Sequence, residues 1–293
     1  MTAGEFLKQS EDSLKTAGIS SARLDALILL EDSLHKDRAW ILAHPETKIS
    51  QAVAGRLSRK VERRARHVPL AYIRGHTEFY GRSFKVNRHV LEPRPESETM
   101  IELLKQIVDG ESLMVNRNSK NYKPKTINPL NSLAIADVGT GNGAIGITAA
   151  LELPGSTVDL YDISAGCVSV AKHNTHLHEL HLHVRKMNLL SRPLRPYEVI
   201  LANMPYVPDK WQINQAAMAE PKIAIFGGKD GLDVYRKLFA QLGRFTWKPS
   251  YVLTEALPPQ HEKLAAIAAA HGFNLRKSDD FIQVFAPVRA LND

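Results

Sequence analysis

The chain has 293 residues, 44% hydrophobic and 24% charged, with a formal charge of +7 and one cysteine. That length can bury a full core and suggests about two domains, the composition excludes a disordered or fibrous chain, and a single cysteine excludes an internal disulfide. No apolar run approaches the roughly 18 residues of a membrane span, and the stretch from Met1 to Lys15, with Glu5, Glu11 and Asp12, lacks a signal core or an Arg-rich presequence, which predicts a cytoplasmic protein without a membrane partner.

Residues 1–68 read as a small helical bundle. Leu24, Leu27, Ile28 and Leu34 recur at helical intervals after a capping Ser20 or Ser21, and Val53, Leu57 and Val61 repeat the pattern beyond Pro45. Arg56, Arg59, Lys60, Arg63, Arg64 and Arg66 carry much of the positive charge, most simply as a solvated helix face. The bundle holds no evident chemistry and suits substrate docking. Residues 69–93 form a linker, with Phe79, Phe84 and Val86 around Gly81-Arg82 predicting a β-hairpin. Residues 94–293 form the main domain, opened by Leu91-Glu92-Pro93-Arg94-Pro95-Glu96-Ser97-Glu98, whose prolines fix the path into a helix from Met100 to Val108. The polar stretch from Asp109 to Ser132 reads as a mobile loop.

From Leu133 strands and helices alternate, the pattern of an open parallel α/β sheet. Strands are expected at Leu133–Val138, Thr157–Tyr161, His183–Met187, Val199–Ala202 and Tyr251–Glu255, with a last pair near Asn274–Leu275 and Phe281–Phe285. Helices are expected at Ala144–Leu153, Ala165–Asn174, Leu232–Leu242 and Gln260–His271. Cys167 lies on the second of these, where it fits a small buried side chain better than a nucleophile.

Asp137-Val138-Gly139-Thr140-Gly141-Asn142-Gly143 joins the first of these strands to a helix, so a ligand could approach the backbone at a helix N-terminus. Glycine spacing alone fits NAD as well as S-adenosylmethionine. Asp137 would repel a pyrophosphate yet favour an ammonium and a sulfonium, which argues for the latter. Asp162 ends the next strand, where a carboxylate can accept both ribose hydroxyls or, alternatively, cap the following helix. Asn188, after the third strand, is placed to reach the adenine edge. His173, His176, His178, His181 and His183 straddle a helix end without a defined ligand spacing, so no metal site is expected.

The run Val199-Ile200-Leu201-Ala202 delivers Asn203-Met204-Pro205-Tyr206 to a loop beyond the sheet. An amide nitrogen is a poor nucleophile, so an enzyme that alkylates one must hold both N–H groups. Asn203 Oδ1 and the Met204 carbonyl are two acceptors, the Tyr206 ring is a flat wall, and Pro205 keeps Met204 extended. In isolation the tetrapeptide reads more simply as an Asn-x-Pro turn closing a strand, and its context has to decide.

With these motifs the chain resembles the HemK-type protein-(glutamine-N5) methyltransferases that act on peptide release factors. The likeness rests on the helix pattern from Gly18-Ile19 to Leu34, Pro69-Leu70-Ala71-Tyr72-Ile73, Glu78-Phe79-Tyr80-Gly81, Leu91 to Glu98, Asp137 to Gly143, Asn203 to Tyr206, Glu220-Pro221 and Gly227-Gly228-Lys229-Asp230-Gly231-Leu232. The resemblance implies a seven-stranded, Rossmann-like α/β sheet that uses S-adenosylmethionine, with a small N-terminal helical bundle and a hairpin linker. It implies that Gly139, Thr140, Gly141, Asn142, Gly143, Asp162, Asn188, Leu189 and Asn203 contact the cofactor, and that Asn203, Met204, Pro205 and Tyr206 grip the glutamine of a Gly-Gly-Gln loop and carry catalysis. The partner would be a release factor, nucleic acid entering only indirectly, and the protein a monomer. Relatives using a similar tetrapeptide act on a ribosomal-protein glutamine or on DNA adenine N6, which stand as alternatives. The family tetrapeptide is Asn-Pro-Pro-Tyr, so Met204 is a departure; its carbonyl survives, and Met204→Pro is expected to keep or raise turnover. Asn188 replaces a usual Asp, and the Asp109–Ser132 loop is longer than usual.

Overall fold

The structure is a computed structural model and describes residues 1–110, 133–213 and 215–288; most of the expected polar loop, residues 111–132, lies outside them. The chain divides into two compact units, one comprising Met1–His76 with Ile213–Ala219 and the other starting at Thr77.

The first unit is helical: α1 (Ala3–Thr16), α2 (Ala22–Leu34), α3 (Arg38–Ala43), α4 (Gln51–Ala65) and α5 (Leu70–Arg74). Thr2 and Glu5 form a reciprocal capping box that starts α1, whereas Ser21 makes no side-chain cap at α2. The core gathers Phe6, Leu7, Leu14, Leu29, Leu30, Ile41, Leu57 and Val61. Along α2 the inward face differs from the expected one: Leu24 is 44% exposed, while Asp25 is buried and meets Arg64 of α4 at 2.6 Å. A buried carboxylate is tolerated because that guanidinium compensates it. Arg64 thus leaves the basic run, and Arg56, Arg59, Arg63 and Arg66 remain exposed.

The second unit begins with a hairpin, β1 (His76–Phe79) and β2 (Arg82–Lys85). Its two-residue turn places both Tyr80 (φ 53°) and Gly81 (φ 68°) in the left-handed region, as a type I′ turn requires. After α6 (Glu98–Val108) come β3 (Ala134–Val138), α7 (Ala144–Glu152), β4 (Thr157–Asp162), α8 (Ala165–Leu177), β5 (His183–Lys186) and β6 (Val199–Ala202). The short helix α9 (Gln215–Met218) belongs to the first unit, and the second continues with α10 (Lys222–Ile225), α11 (Asp233–Arg244), β7 (Tyr251–Glu255), α12 (His261–Ala269), β8 (Phe273–Asp279) and β9 (Ile282–Pro287).

β3 to β9 form one seven-stranded sheet in the order β5-β4-β3-β6-β7-β9-β8. β3 to β7 are parallel, and β9 runs antiparallel between β7 and β8. One face is covered by a core that includes Met100, Ile101, Leu104, Ile147 and Val168 of α6, α7 and α8, together with Phe79 and Phe84 of the hairpin. The other carries Tyr235, Leu238, Phe239 and Leu242 of α11 and Leu264 of α12. Both faces being buried explains why β3, β6 and β7 are buried throughout and read as apolar runs. The order reverses between β3 and β6, a switch point of the kind where open α/β sheets bind ligands beyond the strand ends. Among the described residues, no helix is long and apolar enough to cross a membrane.

Candidate active site

β3 enters the switch point through the glycine loop. Asp137 is buried, and its Oδ2 accepts from Thr140 Oγ1 at 2.5 Å and from the Gly146 N–H at 2.9 Å, so the carboxylate ties the loop to the first turn of α7. Burial pushes its pKa up to about 6, against the effect of those two donors. Asn142 is also turned to the loop, its Oδ1 accepting from the Ala144 N–H at 3.1 Å and its carbonyl from buried Asn174 at 2.7 Å. Thr140 and Asn142 therefore use their side chains on the loop itself. Gly141, at φ 58°, has nothing within 4 Å of where a Cβ would stand, so open space faces the backbone there.

Asp162, at the end of β4, lies beside this opening. Its Oδ2 accepts the Gly141 N–H at 3.0 Å and its Oδ1 the Ser164 N–H at 2.8 Å, while Ser164 itself caps α8. Each oxygen keeps a lone pair for a further donor, and burial raises the pKa of the group. Asn188 is exposed beyond β5, and Leu189 follows at φ 50°, an uncommon conformation for a branched apolar residue. An open backbone at Gly141, a carboxylate with spare acceptor capacity and exposed Asn188 fit an adenosyl cofactor with ribose hydroxyls and a polar base edge. Cys167 is buried, donates to the His89 carbonyl at 3.1 Å and has its pKa pushed up to about 12 by burial, as suits an inert thiol. Among the described residues, no three metal-ligating side chains gather; His173, His176, His181 and His183 are exposed, while His178 packs on Phe84.

β6 brings the tetrapeptide to the other side of the switch point. A Cβ on Gly139 would stand 3.2 Å from Met204 Sδ, so the glycine loop and the tetrapeptide are neighbours. Asn203 Nδ2 donates to Ser97 Oγ at 3.0 Å and to Glu255 Oε2 at 2.9 Å, and Ser97 Oγ donates to the same carboxylate oxygen at 2.6 Å. Those contacts fix the amide orientation, because a flipped Asn203 would set its oxygen against a carboxylate and a hydroxyl oxygen. Oδ1 accepts no hydrogen bond among the described residues, and it is not one of the buried side-chain atoms left without a partner. The Tyr206 hydroxyl donates to Glu255 Oε1 at 3.1 Å, and burial, then the nearby Glu255 charge, raise its pKa.

The backbone beneath the tetrapeptide is held separately. Buried Tyr235 of α11 accepts from the Met204 N–H at 3.1 Å and the Glu255 N–H at 3.2 Å, with the Ala202 and Glu255 carbonyls as acceptors for its single proton. Met204, expected to act only through its carbonyl, also buries its thioether, being 3% exposed. Gln260 Nε2 donates to the Tyr206 carbonyl and the Asp230 carbonyl, each at 2.8 Å. The Gly227–Leu232 motif lies behind this loop. A Cβ on Gly231 (φ 80°) would fall 2.0 Å from the Tyr206 carbonyl oxygen, so only glycine fits that approach. Asp230 is locked by Arg236 and Lys263, whose hydrogen bonds hold its carboxyl well below the usual range. The strap from Leu91 to Glu98 is anchored likewise, the Glu92 N–H donating at 3.1 Å, and Arg94 at 2.5 Å, to buried Glu220.

Glu255, Ser97, Tyr235 and Gln260 escaped the sequence reading. A signal for the first existed: Ala202 pairs with Thr254, so Asn203, the residue just beyond β6, comes beside Glu255, the last residue of β7.

Comparison with known proteins agrees with this architecture. Residues 5–75 match the model of the PrmC N-terminal domain, and residues 109–221 match that of the methyltransferase small domain. A release factor glutamine methyltransferase of Coxiella burnetii (strain RSA 493 / Nine Mile phase I) is 33% identical over 276 residues, covering 92% of this chain and 91% of that protein. Another, of Koribacter versatilis (strain Ellin345), is 36% identical over 246 residues, covering 80% and 81%. A bifunctional methyltransferase of Rickettsia bellii (strain RML369-C) is 32% identical over 92% of this chain, which spans 51% of that longer protein. Among solved structures, the hMettl16 catalytic domain in complex with MAT2A 3′UTR hairpin 6 shares the fold, at a TM-score of 0.51 and 11% identity, over 84% of this chain and 86% of that one. On likeness along nearly the whole of both sequences, and on the two matching domain models, the chain belongs to the release factor glutamine methyltransferase family.

Proposed function

We propose that this chain transfers the methyl group of S-adenosylmethionine to the side-chain amide nitrogen of the glutamine in the Gly-Gly-Gln motif of a peptide chain release factor, acting in the cytoplasm. The observation that carries the reading is the fixed Asn203 amide: both Nδ2 hydrogens are committed to Ser97 and Glu255, so Oδ1 is presented as an acceptor at the switch point. The Met204 carbonyl is the second acceptor, and the Tyr206 ring, tethered through its hydroxyl, is the wall for a planar amide. A site offering two acceptors suits a group with two N–H donors. The names of relatives at 33% and 36% identity support a release factor as the protein that presents it.

Gly141, Asp162 and Asn188 would hold the cofactor, which when bound supplies an electrophilic sulfonium methyl and departs as a thioether. The residues of the chain do the rest. Asn203 and Met204 orient the amide nitrogen and draw on its N–H groups as positive charge develops there, an effect realised most in the transition state, and the methylated nitrogen then releases one N–H proton, ultimately to solvent, to leave the neutral N-methyl amide. Tyr206 limits rotation of the amide plane, so approach is in line rather than from the side.

Incubating the full chain with methyl-labelled S-adenosylmethionine and candidate release factors, then mapping label by peptide mass, tests this reading. One methyl on the Gly-Gly-Gln glutamine is expected. Label on DNA adenine or a ribosomal protein instead, or no transfer to any release factor, would overturn it.

A further inference from the structure

Glu255 is 1% exposed, and no cation pairs with it among the described residues. An uncompensated carboxylate is a costly way to end a buried strand, and burial raises its pKa accordingly. A neutral side chain would cap β7 with less desolvation, and only the three hydrogen bonds that these oxygens accept favour the ionised form against burial, so a carboxylate here needs another reason.

That reason lies in what each oxygen accepts. Oε2 takes the Ser97 proton at 2.6 Å and one Asn203 Nδ2 hydrogen at 2.9 Å, while Oε1 takes the Tyr206 proton at 3.1 Å. An ionised carboxylate can only accept, so it forces Ser97, Asn203 and Tyr206 all to donate. Ser97, its proton committed, then has only lone pairs for Asn203 and accepts the second Nδ2 hydrogen at 3.0 Å. A carboxamide in the same place would offer both a donor and an acceptor, and either orientation of Asn203 could then be satisfied. In one of those orientations the nitrogen of Asn203, a donor, would face the donor N–H groups of a substrate amide.

We infer that Glu255, together with Ser97, is a positioning residue for methyl transfer: the pair keeps the oxygen of the Asn203 amide, not its nitrogen, turned to the acceptor nitrogen. The inference rests on the reading that Asn203 Oδ1 accepts a substrate N–H. It assigns a use to the Pro-Arg-Pro-Glu-Ser strap, whose prolines deliver a hydroxyl beneath the tetrapeptide from 106 residues away.

The test is a double-mutant cycle on the full chain with a release factor as substrate. Glu255→Gln should lower kcat about ten- to hundred-fold, the scale of a lost hydrogen bond to a charged group, with KM for the release factor within about twofold. In an Asn203→Ala background the same change should cost less than about twofold, because the group being oriented is gone. An equal loss in both backgrounds, or no loss in either, overturns the inference. Near-normal turnover in Asn203→Ala alone refutes the acceptor reading instead, so the two failures are distinct. A second readout needs neither cofactor nor turnover: the Asn203 side-chain amide resonances, identified by their absence in Asn203→Ala, should shift and lose exchange protection in Glu255→Gln, and unchanged resonances overturn the inference. If Glu255→Gln does not fold, Ser97→Ala enters the same cycle, with a several-fold loss expected in the parent and none without Asn203; an additive loss overturns the proposal.

Discussion

Met204→Pro restores the family tetrapeptide and separates what the residue does for stability from what it does for transfer. The substitution deletes the N–H that Tyr235 accepts at 3.1 Å, which costs about 1 kcal/mol. It also replaces a side chain that is 3% exposed and lies against the glycine loop by one with a single heavy atom fewer, which costs roughly 0.8 kcal/mol. Proline returns about 0.5–1 kcal/mol by restricting the unfolded chain. The net is a destabilisation of about 1 kcal/mol, or a fall in Tm of roughly 2–4 °C for a domain of this size. Turnover should stay within about threefold of the parent, because the carbonyl and Asn203 keep their places and proline favours an extended Asn203. Thermal melts followed by circular dichroism, paired with single-turnover methyl transfer at 25 °C, read the two effects apart. A tenfold loss of turnover at an unchanged Tm would show that the Met204 side chain or its N–H takes part in transfer, and the reasoning would fail; an unchanged Tm with normal turnover would refute the packing and hydrogen-bond accounting.

Asn203→Ala should lower kcat on the order of 10²–10³, as the loss of an oxyanion-hole donor does in other enzymes; steady-state kinetics showing less than a threefold effect would remove Asn203 from the mechanism. Gly231→Ala drives a Cβ to 2.0 Å from the Tyr206 carbonyl oxygen at a φ of 80°, and should destabilise the chain by upward of about 3 kcal/mol; a parent-like urea midpoint would contradict that close approach. Asp137 yields a pH prediction. Its native pKa of about 6 stands above the ordinary 3.8, so the native state holds more protons between pH 4 and 6, and this group's contribution to stability falls as pH rises through that window, by up to about 3 kcal/mol. Asp137→Asn should remove that slope, and parallel urea-unfolding profiles for the two proteins from pH 4 to 7 would count against it.

The sheet was legible because strands buried on both faces spell themselves as uninterrupted apolar runs, and β6 and β7 fall at the expected residues for that reason. The inward face of α2 was not, since Asp25 turns inward only because Arg64, 39 residues on, neutralises it. The tetrapeptide could be found by eye because Asn and Pro stop a strand, which marks a loop without knowledge of the partners. Its orientation could not: Ser97 and Glu255 meet across 158 residues, and Tyr235 reaches Met204 across 31. The Gly227–Leu232 motif illustrates a subtler difference. As sequence it marks only the family resemblance, and in the structure Gly231 stands behind Tyr206 while Gln260 bridges the Asp230 and Tyr206 carbonyls. Glycine is required there because two passes of backbone approach closer than any side chain permits. On the proposed reading, the most restrictive spelling in the chain therefore marks the backbone support behind the tetrapeptide, while the surface offered to a substrate needs little more than one correctly turned amide.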